Sequence, residues 1–144
     1  MNDNDTVKLL RECDAGVKMG VASINEVLPS VKSETFRRDL TDCRNQHEVL
    51  LLDIKNKLCA HCDSGKDPAP IAKGMSRVKT NVKMALDESD KTIADLMTDG
   101  CNMGVKSLHK YLNQYSAADA ESKGFAKRLI QIEDDLAKQI RQYL

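Results

Sequence analysis

Residues 59–62 read Cys-Ala-His-Cys. Two thiols three positions apart, with an imidazole between them, can exchange disulfides or hold a soft metal. Redox pairs of this spacing belong to strand–helix settings. Structural zinc asks for four ligands, and the chain has no second CxxC. Cys59, His61 and Cys62 are therefore weak metal or redox candidates beside a plainer reading, a reduced pair at a helix end. Two other residues draw notice because they interrupt apolar stripes. Asp14 falls where a first helix should bury a hydrophobe, and His47 falls on the core stripe of a second. A buried histidine is read first as a core residue bonded to a backbone or carboxylate partner, and second as a metal ligand.

Helices must position these residues. The first expected helix covers 5–28, with Val7, Leu10, Val17, Val21, Ile24 and Leu28 on one stripe and Pro29 as its stop. The second covers 33–60, with Ser33 as N-cap. Its stripe is Phe36, Leu40, Cys43, His47, Leu50, Ile54 and Leu58. A short amphipathic helix follows over 70–86. Further helices are expected over 89–115, carrying Ala94, Cys101, Val105, Leu108 and Leu112, and over 118–143, carrying Phe125, Leu129, Ile132, Leu136, Ile140 and Tyr143. The first and last pairs are joined by short turns and so form antiparallel hairpins. The connection 61–88 is long enough to climb a bundle, since a helix rises about 1.5 Å per residue. Four helices with one long crossover is a known bundle topology.

Composition agrees. At 144 residues the chain fits one domain with a real core. Aromatics make up 3%, there is no Trp, and Pro and Gly number three and seven, which favours helices over a turn-rich β fold. Lys+Arg and Asp+Glu are both 22, so no general electrostatic grip on nucleic acid is expected. The basic residues of the connection, Lys66, Lys73, Arg77, Lys79 and Lys83, lack interleaved aromatics and read as a solvated face. No apolar run approaches the ~20 residues of a membrane span. Five cysteines behind a polar, acidic N-terminus imply reduced thiols and a cytoplasmic location. Val49, Leu51 and Leu52 lie beyond the narrow stripe of the second helix, so either the short helix or a homodimer covers them.

The two hairpins repeat each other. Met-Gly-Val-Ala-Ser-Ile at 19–24 returns as Met-Gly-Val-Lys-Ser-Leu at 103–108, a shift of 84 that also carries Gly16 onto Gly100 and Asp14 onto Thr98. A shift of 89 carries Phe36 onto Phe125, Leu40 onto Leu129 and His47 onto Leu136. An internal duplication with a pseudo-two-fold is the expected cause. Gly16, Gly20, Gly100 and Gly104 form two G-x-x-x-G steps. Such steps suit close helix approach, and they predict that the first and third long helices cross there.

With LLRECDAGVKMGVASI, FRRDLTDCRNQHEVLLLDIKNKL, IAKGMSRVKTNVKMAL and DLMTDGCNMGVKSLHKYL in view, nearly the whole chain resembles the ferritin-like superfamily. It is most similar to small bacterial ferritin-like proteins related to spore-coat and stress families. The resemblance implies an all-α antiparallel four-helix bundle with a long crossover. In active members it implies two metals held by a Glu from each of two helices and a Glu-x-x-His from each of the others. Here those slots read Asp14, Arg44 to His47, Thr98 and Glu133 to Leu136, so each half has lost ligands. The resemblance thus implies a degenerate site without a cofactor, in a protein with a structural or interaction role. An iron-storing or oxidoreductase protein, with a residual metal site on Asp14, His47 and Glu133, is the alternative. Arg44 and Glu133 occupy equivalent slots and are expected to pair across the core, with Asp14 and His47 nearby.

Overall fold

The computed structural model describes residues 3–68 and 89–144. The short helix expected over 70–86, with Lys73, Arg77, Lys79 and Lys83, lies outside them. Among the described residues every regular element is helical: α1 (Asp3–Val27), α2 (Glu34–Ala60), α3 (Asp90–Gln114) and α4 (Ala120–Gln139), with 3-10 turns at Leu28–Ser30 and Ile140–Tyr143. No helix among them is long and apolar enough to cross a membrane.

Local chemistry sets the helix ends. Ser33 accepts the Phe36 N–H at 3.3 Å, Ser89 the Thr92 N–H at 3.2 Å, and Asp119 the Ser122 N–H at 2.8 Å. Each satisfies a donor that the first turn leaves without an intrahelical acceptor. Pro29 turns the chain after α1, and Arg37 closes that turn by donating to the carbonyls of Leu28 and Val31.

Side-chain pins fix the helix directions. The Asp90 carboxylate, at the start of α3, accepts the N–H groups of Lys32 and Ser33 at 2.8 and 2.9 Å. The beginnings of α2 and α3 therefore share one end of the molecule. At the other end, Asp5 and Thr6 of α1 accept the N–H groups of Ala117 and Asp119, and Lys57 of α2 pairs with Asp119 and Glu121. α1 packs on α2 and α3, α4 packs on the same two, and α1 meets α4 across the diagonal. Every side of this four-helix arrangement is antiparallel.

The core follows the stripes closely in α2, whose buried residues are Phe36, Leu40, Cys43, His47, Leu50, Ile54 and Leu58. The buried face of α1 is wider than its sequence stripe, because Leu9 and Cys13 are also enclosed. That breadth comes from contact with three helices rather than two. α4 stops at Gln139, short of the expected 143. Ile140–Tyr143 tightens into a 3-10 turn, which lays Tyr143 flat on Phe36 with centroids 4.3 Å apart.

Candidate functional site

The apolar period of α2 carries His47 into the core, where it is only 2% exposed. Its Nδ1–H donates to the Cys43 carbonyl at 2.8 Å, which turns Nε2 away from its own helix. Nε2 then faces Glu133 of α4, 3.8 Å from Oε1. At that distance the contact is an ion pair rather than a hydrogen bond. Glu133 is 9% exposed.

Two glycines leave room for this pair. A Cβ on Gly20 would lie 2.6 Å from His47 Nε2, and one on Gly104 would collide with Glu133 Oε2. Gly20 and Gly104 are the glycines of the repeated hexapeptides. The G-x-x-x-G steps therefore do not press α1 against α3, as their spacing predicted. Gly16 meets Leu129 of α4, and Gly100 has nothing within 4 Å. Nor is the notch strictly two-fold. Gly20 faces position 47, whereas Gly104 faces the equivalent of position 44.

Burial opposes the charged form of His47. The interactions with Cys43 and with the Glu133 carboxylate outweigh it and raise the imidazole pKa to about 10. Burial also pushes the Glu133 carboxyl up, against the pull of His47. His47 Nε2 and Glu133 Oε2 have no hydrogen-bond partner among the described residues. Cys101 lies in the same region. Its thiol is pushed well up by burial and then by the Glu133 carboxylate, so it behaves as an apolar filler.

Arg44 does not join this pair. Its guanidinium, half-buried, donates to Asn25 Oδ1 at 2.9 Å. Arg44 follows the stripe residue Cys43 by one position, about 100° around the helix, and so stands at the edge of the buried face rather than on it.

Asp14 belongs to a separate site. Fully buried, it accepts the Lys66 N–H on Oδ2 at 2.9 Å and pairs with Lys18 at 2.7 Å. Gly65 crosses directly above it with φ +90°, and a Cβ there would strike the carboxylate. Both the close approach and the left-handed backbone call for glycine. Arg11–Asp63 at 2.5 Å, Glu12–Lys66 at 2.5 Å and Lys18–Asp67 at 3.2 Å complete a ladder that straps 63–67 onto α1. Arg11 holds the Asp63 carboxyl below the usual range. Nothing in the sequence separation of 52 residues pointed to this strap. Only Asp63-Ser64-Gly65 is legible as a turn.

Cys59, His61 and Cys62 form the C-terminal cap of α2. The Asp63 N–H donates to the Leu58 carbonyl and the Cys62 N–H to the Cys59 carbonyl, both at 2.9 Å, with Cys62 at φ +56°. This is the Schellman pattern, with a cysteine where glycine is usual. Both thiols are exposed. The pair sits at a helix C-terminus, whereas redox CxxC pairs are placed at a helix N-terminus. Burial raises Cys13 to about 12, which makes that thiol inert. Among the described residues no three His, Cys, Asp or Glu side chains are grouped to hold a metal ion. No family model, curated protein or solved structure matches the chain.

Proposed function

We propose that this chain is a ferritin-like bundle in which a buried ion pair stands where a metal centre would be. Its role on this reading is structural or interaction-based rather than catalytic. The observation that carries the reading is His47 facing Glu133 at 3.8 Å inside the notch of two repeated glycines.

The topology supports it. α2 and α3 begin at the same end, and α2 is 27 residues long, about 40 Å of helix, which supports a long crossover between them. A long crossover of this kind separates ferritin-like bundles from simple up-down ones. The residues do not fit a two-metal centre. Asp14 is taken by Lys18 and Lys66, Arg44 faces Asn25, and the slot after Glu133 ends in Leu136. Two donors remain, too few to neutralise paired cations.

One observation favours a metal-binding alternative: Nε2 of His47 and Oε2 of Glu133 are buried without a hydrogen-bond partner among the described residues. Metal analysis of the purified protein, before and after ferrous iron, decides between the two. The proposal expects far less than one iron per chain and no oxygen uptake. Stoichiometric iron with oxygen uptake would overturn it.

A further inference from the structure

The outer face between α2 and α4 holds a groove of about 410 Å³ lined in part by Asn45, Val49, Arg128, Gln131, Ile132 and Asp135. Val49 and Leu52, one turn apart on α2, are 54% and 63% exposed. The described chain does not turn back over them. Residues 63–67 leave the end of α2 across α1, held by Arg11, Glu12 and Lys18.

The charges on this face are arranged head to tail. Arg128 and Asp135 lie two turns apart on α4, about 10.5 Å of rise, with the uncharged Gln131 and Ile132 between them. Arg128 also bridges to Asp53 at 3.0 Å, and both remain about half exposed. Asp135 accepts a hydrogen bond from Gln131 but has no cation among the described residues. A two-fold axis through Val49 turns this pattern onto itself. It sets Arg128 of one copy over Asp135 of the other, twice, and brings Val49 and Leu52 together at the centre. An apolar centre with self-complementary ends is what an isologous contact requires. A polyanion fits poorly, since Asp53 and Asp135 stand at the rim.

We infer that the α2–α4 face is a homodimer interface, with a second copy of this chain as its occupant. This names the partner for the interaction role proposed above and rests on that role. The two ideas fail separately, because iron uptake by a dimer would overturn only the former and a metal-free monomer only the latter.

The test is sedimentation equilibrium of the full chain over a wide concentration range. Wild type should show a concentration-dependent monomer–dimer equilibrium. Arg128→Asp and Asp135→Arg each place like charges opposite one another twice, and each should weaken association about tenfold or more. Mixed one to one, the two variants restore both opposite-charge contacts in the heterodimer, so association should return. Val49→Asp should abolish dimers while leaving the melting temperature near that of wild type. A wild type that is monomeric throughout, single variants that dimerise like wild type, or a mixture that stays monomeric would each overturn the inference.

Discussion

His47 and Glu133 meet across the core from α2 and α4, and each sits against a glycine of the repeated hexapeptide, Gly20 against His47 and Gly104 against Glu133. Glycine within a helix costs roughly 1 kcal/mol relative to alanine, so an unneeded one should be improvable. Gly100→Ala adds a methyl where nothing lies within 4 Å and should stabilise the protein by up to about 1 kcal/mol. Gly20→Ala should destabilise it, because the rigid ring of His47 must move. In a His47→Ala background that penalty should vanish. Thermal melts of the four variants check this.

Removing one member of a buried pair exposes the other to an uncompensated environment. Glu133→Ala should lower stability by about 3 kcal/mol, the lower end of the range for such pairs, since His47 can shed its proton. Arg44→Ala loses only a half-buried contact with Asn25 and should change stability by less than about 0.5 kcal/mol. Urea denaturation of both variants distinguishes this arrangement from an Arg44–Glu133 pair, which would make Arg44→Ala equally costly.

The pair also sets a pH dependence. The folded-state pKa of His47 is raised from 6.5 to about 10, so the native chain binds more protons than the unfolded chain between those values. The stability from His47 is full below pH 6.5 and is lost as pH rises through 10. The slope is at most about 1.4 kcal/mol per pH unit. Wild type should therefore lose stability faster than His47→Gln between pH 7 and 10, as read by urea midpoints at each pH.

The strap over α1 depends on Asp14. Asp14→Ala removes a charged acceptor from the Lys66 N–H and should cost about 2 kcal/mol. Gly65→Ala adds both a clash and a left-handed alanine and should cost about 1–3 kcal/mol. Hydrogen exchange at the Lys66 amide should accelerate in both variants, while amides in the middle of α3 keep wild-type protection relative to global stability.

How much of this was legible beforehand depended on range. The seven-residue stripe of α2 was readable because one helix face is set by periodicity alone, and it placed His47 inside. Ser33 was readable as a cap because capping is a three-residue affair. The partner of Glu133 was not. Choosing between Arg44 and His47 depends on how α2 is rotated against α4, a property of packing rather than of sequence spacing. The repeated glycines signalled a close approach without naming its object. They suggested a helix backbone, and the object is an imidazole and a carboxylate. Asp14 was visible as an anomaly in an apolar stripe. Its explanation, a strap 52 residues away, is wholly tertiary.

The most direct measurement is a nitrogen-resolved NMR spectrum of the His47 imidazole at neutral pH, with and without equimolar zinc. A buried ion pair in place of a metal centre predicts a ring protonated on both nitrogens and a spectrum that zinc leaves unchanged. A neutral ring whose Nε2 resonance shifts on adding zinc would contradict it.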